Sequence, residues 1–333
     1  MLWPTAFGSL CSDTRENFYP EDEGHTPVLL DETIDMLAQC DTGAPVRVLD
    51  CTFGGGGHSE AVLNRFSTCT LTAIDTDPEA APRAEKLASK HPGRVTFVDA
   101  NFKDLARLDL GGKFDAIIFD LGVSSFHFDT PGRGFSFRHD AELDMRMNPR
   151  EGISAAKFLE TAAHDELVTA IRDYAEEPRW RTIVAAIENA RETGILSRTA
   201  SFAALISETV GNRHGRIHPA TQVFQGVRMA VNHETEALEN ALPAAFEKLA
   251  EGGVMAVISF HSIEDRIVKR YFRREAGLPE SRDDNLPQQS RQIRAELLNH
   301  RPVQSTRNEL EQNPRARSAK LRALRKLHSL ETR

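Results

Sequence analysis

The sequence predicts an open α/β fold, a mostly parallel sheet crossed by helices and interrupted late in the chain by a helical insertion. Three observations carry this. Apolar runs at 46–51, 71–75, 95–98 and 114–121 are separated by helix-length segments, the pattern of parallel strands joined by crossover helices. The first run leads directly into Asp50-Cys51-Thr52-Phe53-Gly54-Gly55-Gly56-Gly57-His58, a turn with four successive glycines. A fifth apolar run, at 254–260, follows only after more than a hundred residues that read as helical.

The glycine turn is the most specific local feature. Glycine has no Cβ, so the backbone can turn sharply after the strand and lie against a ligand that a side chain would push away. The helix expected over 59–66 aims its unpaired N–H groups at any anion held there. Asp75 closes the second run about twenty residues beyond the glycines, where such sheets place a carboxylate to accept hydrogen bonds from ribose hydroxyls of an adenosine. NAD-binding and S-adenosylmethionine-binding sheets share this arrangement, and glycine-rich turns also arise for structural reasons alone, so the loop by itself leaves the cofactor open.

Helical periodicity fills the space before the fifth run. Trp180, Ile183, Val184 and Ile187 fall at i, i+3, i+4, i+7 and Gly194 ends the pattern; Phe202, Leu205 and Ile206 repeat it before Gly211. A helical block between the fourth and fifth strands leaves the sheet at its carboxyl edge and should overhang whatever binds there. The expected organisation is a tail at 1–24, a discontinuous sheet domain at 25–127 and 226–333, and an inserted helical substrate-recognition domain at 128–225. A helix over 237–249, with Leu238, Leu242, Phe246 and Leu249 on one face, leads back into the sheet, and Pro243 should kink it or move its start.

With 333 residues and 40% hydrophobic content the chain can bury a large core. No apolar run approaches the roughly 18 residues a membrane-spanning helix needs. Cys11, Cys40, Cys51 and Cys69 have neither zinc-site nor disulfide-framework spacing, which points to a reducing compartment and no metal. Residues 1–24 hold Arg15 against Asp13, Glu16, Glu21, Asp22 and Glu23, the reverse of an organellar transit peptide, and read as a mobile tail of a cytoplasmic protein. Net charge is −8, yet residues 301–333 carry nine Lys+Arg against three Asp+Glu, and Arg266, Lys269, Arg270, Arg273 and Arg274 form a second basic cluster. Localised positive faces on an acidic body suit phosphate contact; a salt-bridged, solvated helix surface gives the same pattern.

Several strings go beyond packing: His25-Thr26-Pro27-Val28-Leu29-Leu30; Asp120-Leu121-Gly122-Val123-Ser124-Ser125 at the end of the fourth run; Arg133-Gly134-Phe135-Ser136-Phe137; Leu143-Asp144-Met145-Arg146-Met147; His218-Pro219-Ala220-Thr221; Phe224-Gln225 through Val231-Asn232; the run from Ile258-Ser259-Phe260-His261-Ser262 to Arg266 and Lys269; and Asn313-Pro314-Arg315-Ala316-Arg317-Ser318-Ala319-Lys320-Leu321-Arg322. In this order, over residues 25–327, they closely resemble the bacterial ribosomal RNA small-subunit methyltransferase H (MraW) family.

The resemblance implies a class I S-adenosylmethionine-dependent methyltransferase (Rossmann-like) sheet with an inserted helical domain. It implies methylation of the exocyclic N4 of a cytidine in the decoding centre of 16S ribosomal RNA, with the small ribosomal subunit as partner; a homodimer is left open. Carried over by position, the cofactor contacts fall on Gly56, Gly57, His58, Asp75, Phe102, Asp120 and His127. The chain departs from the family at His127, where glutamine is usual, and at Ala175, where glycine is usual. Phe102 would stack on the adenine. Asp120, at the strand tip nearest the transferable methyl, is the candidate catalytic residue, with a helix-cap role as its alternative. His58 reads as a pocket wall rather than a base.

Methyl transfer from a sulfonium to an amine needs nitrogen, carbon and sulfur in line and little covalent help, so positioning carries the catalysis. Attack through carbon 5 of cytosine would need a cysteine nucleophile, and none stands at the ends of the fourth or fifth runs. The base is expected to be flipped into the cleft and held by Asp120 or Asn232 and by His261-Ser262. Arg133, Arg146, Arg266, Lys269 and the 315–326 stretch, including Arg315, Arg317, Lys320 and Arg322, are the candidate phosphate contacts; Arg146 pairing with Asp144 or Glu142 is the competing role. Two rival functions remain in view: an NAD-dependent oxidoreductase, for which no hydride-transfer acid is evident, and a non-catalytic RNA-binding assembly factor.

Overall fold

The computed structural model describes residues 27–211 and 218–329. The acidic segment 1–24 read as a tail, together with Cys11, His25 and Thr26, lies outside the described residues.

The expected apolar runs become strands β1 (Arg47–Asp50), β2 (Thr70–Asp75), β3 (Val95–Asp99), β4 (Phe114–Asp120) and β5 (Leu249–Ser259). Strands β6 (Ala295–Leu297) and β7 (Lys320–Lys326) complete one seven-stranded sheet in the order β3-β2-β1-β4-β5-β7-β6. The first five pair in parallel, while β7 runs antiparallel to both β5 and β6. Strand order reverses between β1 and β4, and open α/β sheets bind ligands at the carboxyl ends of the strands flanking such a reversal.

Alternation within each strand assigns the two faces. Val48, Leu71, Ala116, Ile118, Val254 and Ile258 pack with helices α1 (Leu30–Leu37), α2 (Gly57–Arg65) and α3 (Ala80–Lys90). Leu49, Ile74, Ile117, Phe119, Met255 and Val257 pack on the other side against the later helices. Helix α2 begins at Gly57, two residues before the expected start.

After the short α4 (Ser125–Asp129) the chain enters the helical block: α5 (Ala155–Thr161), α6 (His164–Val168), a π-helical turn (Thr169–Tyr174), α7 (Trp180–Ala190), α8 (Thr199–Val210) and α9 (Ala220–Val231). The block has its own core, in which Ile183, Val184 and Ile187 of α7 meet Phe202 and Ile206 of α8, as the periodicity predicts. Gly194 and Gly211, both at positive φ, follow α7 and α8. Helix α9 crosses residue 225, where the sequence placed the domain boundary, and Val227 still belongs to the helical core.

Helix α10 (Glu234–Lys248) starts earlier than expected and continues through Pro243. Its start is set by His233, at φ 51, which turns the chain sharply out of α9. Burial of Leu238, Leu242 and Phe246 against the sheet outweighs the one backbone hydrogen bond that proline removes. The helix runs directly into β5, which therefore begins at Leu249. Helices α11 (Ser262–Glu275) and α12 (Arg307–Gln312) follow. Among the described residues no helix is long and apolar enough to cross a membrane.

Candidate cofactor and substrate cleft

A cleft of about 330 Å³ opens at the carboxyl ends of β1, β2, β4 and β5. Sheet residues Thr52, Gly54, Gly55, Gly57, His58, Asp75, Phe102 and Asp120 line one side, and Met147, Gln225 and Arg228 line it from the helical block. A larger hollow of about 680 Å³ lies beside α11, but Arg274, Arg291 and Arg294 in its lining are already paired with acids, Arg274 with Glu280, Arg291 with Asp284 and Arg294 with Glu275. The smaller cleft is the candidate site.

The glycine loop is tight on its protein side as well as open to the cleft. A Cβ at Gly55 would approach the Phe126 ring to 2.9 Å, one at Gly56 the Phe53 ring to 2.7 Å, and one at Gly57 would collide with the Pro27 ring. Gly56, at φ 80, caps α2 and does not itself line the cleft. Glycine is thus demanded by neighbouring rings, and the backbone conformation at Gly54 and Gly56 adds to it.

Behind the loop lies a buried charged row. Asp50, 2% exposed, accepts hydrogen bonds from Ser59 Oγ (2.6 Å) and the Thr52 N–H (3.0 Å). Burial pushes its pKa up to about 6 against these bonds. His58 faces the Val28 carbonyl through Nε2 (3.0 Å) and Asp120 Oδ2 through Nδ1 (3.3 Å). Both ring nitrogens meet acceptors, an arrangement only the imidazolium satisfies. Burial pulls the His58 pKa down, yet Asp120 and Asp50 outweigh it and the net shift is upward. The Asp120 N–H donates to Thr52 Oγ1 (2.6 Å), and its Oδ1 is buried without a partner.

Asp75 accepts from the Gly54 N–H (2.6 Å) through Oδ2 and from the Asp77 N–H (2.8 Å) through Oδ1. Two oxygens offer about four acceptor sites, so lone pairs remain toward the cleft. Burial raises its pKa above the usual carboxylate value. Phe102 lines the cleft and stands edge-on to Phe119, with centroids 5.9 Å apart. His127 is buried, its Nε2 lies 2.9 Å from Asp77 Oδ2, and its ring packs on Phe135. The approach to Asp77 lacks the alignment of a directional hydrogen bond and acts as an electrostatic contact. Asp77 is itself held down at about 2: burial opposes the charge, and His127, the Glu79 N–H and Arg133 more than offset it.

Two cleft residues from the helical block escaped the sequence reading. Arg228 and Gln225 sit three apart on one face of α9, a spacing visible within the Phe224 to Asn232 string. Arg228 pairs bidentately with Glu234 (2.7 and 2.8 Å), and this pair outweighs the burial that would otherwise lower its pKa. His261 caps α11, its Nδ1 accepting from the Glu264 N–H at 3.4 Å, with Nε2 3.0 Å from Glu264 Oε1. Glu234, His261 and Glu264 bring ligand-type atoms together, but the Arg228 guanidinium already occupies Glu234.

A family model described as the MraW methylase family matches residues 22–327. The chain belongs to the MraW methylase family. Curated relatives named "Ribosomal RNA small subunit methyltransferase H" include those of Thermomicrobium roseum, 44% identical with 92% of this chain and 95% of the relative covered, Gluconobacter oxydans, 44% identical with 90% and 93% covered, and Nitrosococcus oceani, 43% identical with 92% and 98% covered. Membership makes this chain a methyltransferase, and the β3-β2-β1-β4-β5-β7-β6 sheet is the class I methyltransferase sheet that the resemblance implied.

Within this MraW chain the basic and base-holding candidates separate into two groups. Arg133 turns inward, its Nη1 3.2 Å from Asp77 Oδ1 and its Nη2 donating to the Arg146 and Met147 carbonyls (3.1 and 2.8 Å). Arg146 is chelated by Asp144, the competing role weighed for it. Lys320 and Arg322 share Asp265 at 3.2 and 2.7 Å. Asn232 uses both ends of its amide on the backbone of Met145, Met147 and Arg228, and Ser262 donates to Glu176; neither lines the cleft. These side chains knit loops together rather than face a ligand. Arg266, half-exposed and paired with Glu176, and the exposed Lys269, Arg315 and Arg317 remain at the surface, with Arg315 lining the cleft mouth beside Phe128.

Proposed function

We propose that this chain transfers a methyl group from S-adenosylmethionine to the exocyclic N4 of a cytidine in the decoding centre of 16S ribosomal RNA, acting on the small ribosomal subunit in the cytoplasm. The observation that carries the reading is Asp120: its carboxylate lines the cleft at the tip of β4 with 29% of the side chain exposed, and it is anchored on His58, in a methylase-family sheet. An acceptor held in that way fits an N–H donor from outside the protein.

The lining fits the cofactor. Gly54 and Gly55 leave backbone open to it, Asp75 keeps acceptor sites for ribose hydroxyls, and the Phe102 ring offers an apolar wall for adenine. When bound, S-adenosylmethionine supplies a methyl carbon made electrophilic by its sulfonium. The protein's part is to orient the amine and exclude water. The Asp120 carboxylate accepts from N4–H and fixes the nitrogen, and the contact with His58 holds that carboxylate still. The helical block closes the cleft from above with Met147, Gln225 and Arg228.

Carbon methylation is disfavoured by the one cysteine that lines the cleft. Cys51 is buried, and burial pushes its thiol pKa well up, so it stays protonated and is a poor nucleophile. The test is direct: the protein is incubated with methyl-labelled S-adenosylmethionine and unmethylated small subunits, and the RNA is digested to nucleosides. Label in N4-methylcytidine from the small-subunit RNA is expected. Label in 5-methylcytidine or on ribose, or none in RNA, overturns the proposal.

A further inference from the structure

Arg228 is a charged residue of the cleft wall for which the reaction above has no task. Its side chain is only 12% exposed, and its partner Glu234 opens helix α10, where the helix dipole favours an anion. The pair uses Nε and Nη2 of the guanidinium, which leaves Nη1 outside it. A cation held so far from water by a fixed fork is a pre-oriented donor. Clipping the turn between α9 and α10 would account for the ion pair; it would not account for Arg228 also lining the cleft.

Resting on the proposed reaction, we infer that Arg228 reads the target base by donating a hydrogen bond to the N3/O2 acceptor edge of cytosine. The base-pairing edge of cytosine presents one donor, the N4 amine, beside two acceptors, N3 and O2. The cleft presents the complement: the partly exposed Asp120 carboxylate as acceptor from the sheet side and a fixed cationic donor at Arg228 from the helical side. Uracil would set its O4 lone pairs against the Asp120 carboxylate and an N3–H toward the guanidinium, two mismatches at once. Like-charged or unpaired buried polar groups discriminate strongly between such analogues. Arg228 is therefore assigned as a specificity-determining residue.

The test uses small subunits reconstituted with 16S RNA ligated around a synthetic segment that carries cytidine, 3-deazacytidine or a 2-deoxo cytidine analogue at the target. Affinity is measured for the protein loaded with S-adenosylhomocysteine, so that altered amine reactivity plays no part. The wild type is expected to lose roughly tenfold or more with at least one analogue, the size of a hydrogen bond to a charged group. Arg228→Lys, checked for S-adenosylhomocysteine affinity and melting temperature, is expected to lose less than about threefold on the same change, because its single ammonium stays on Glu234 and lysine has no second arm in place of Nη1 to reach the base. Wild-type indifference to both analogues overturns the assignment, and so does a folded, cofactor-binding Arg228→Lys that keeps the full penalty. If Arg228→Lys does not fold, the wild-type arms decide alone. A wild type that makes no N4-methylcytidine at all sinks the proposed reaction instead; one that makes it and ignores the analogues sinks only the role of Arg228.

Discussion

Replacing Asp50 by asparagine should stabilise the protein at pH 8 and leave it unchanged or weaker at pH 4. Asp50 is buried beneath the glycine loop and titrates near 6 rather than at its ordinary 3.8. A carboxyl whose folded-state pKa is raised takes up its proton more readily in the native protein, so its contribution is fully present below about pH 4 and is lost as pH climbs through about 6. The interval between 3.8 and about 6, at roughly 1.4 kcal/mol per pH unit, comes to about 3 kcal/mol. Asparagine preserves the local contacts: its oxygen still accepts from the Thr52 N–H, and its amide can donate to Ser59 Oγ. His58 loses one of its two carboxylate neighbours, which returns part of the gain, so a net stabilisation of about 1–3 kcal/mol is expected at pH 8. Urea unfolding of both proteins from pH 4 to pH 8 measures it, and titrations remote from the site cancel in the difference. A gap between the two proteins that does not change over that range would refute the buried-carboxyl argument.

Other consequences follow from the same geometry. Asp120→Asn should lower the methylation rate about tenfold to a hundredfold while changing S-adenosylhomocysteine affinity little, since a charged acceptor is worth roughly 1.5–3 kcal/mol; an unchanged single-turnover rate would remove Asp120 from the reaction. Gly57→Ala drives a Cβ into the Pro27 ring, and overpacking of this kind costs about 1–3 kcal/mol, read as a lower melting temperature with weakened cofactor binding. Lys269→Ala should reduce the slope of log affinity for small-subunit RNA against log salt by about one. Arg322→Ala should instead destabilise the fold, because it leaves Asp265 without its closest partner; a pure change in salt slope there would show that Arg322 meets phosphate after all.

The parallel half of the sheet was legible because central strands must be apolar on both faces, as β4 and β5 are, and because β1, β2 and the edge strand β3 still carry short apolar runs at helix-length spacing. Strand β7 was not: Lys320, Arg322, Arg325 and Lys326 make it look like a basic tail. Its charges find partners on Asp265 and Glu296, residues remote in sequence or on another strand, while Leu321, Ala323 and Leu324 carry it into the core. The helical block was legible through the 3.6-residue period of α7 and α8. The start of α10 was not, because it depends on a left-handed residue at His233 and on an ion pair across the turn.

At the site, the glycines, Asp75 and Asp120 stood out because their chemistry is local to strand ends. The roles of Arg133, Arg146, Lys320 and Asn232 did not, because an arginine in a string reads the same whether its carboxylate lies on RNA or on a loop; Asp77, which takes Arg133, is 56 residues away. His127 belongs with these. The departure from glutamine makes sense beside Asp77 and Phe135, where an imidazole meets both a carboxylate and a ring. Arg228 was missed because an amphipathic helix gives no sign which of its polar positions faces a cleft.

The central claim is that the crook between β1 and β4 holds S-adenosylmethionine, and calorimetric titration of the folded protein with S-adenosylhomocysteine tests it most directly. Saturable binding at one site per chain, weakened by Asp75→Ala, is predicted. A folded protein that takes up no S-adenosylhomocysteine would contradict the account.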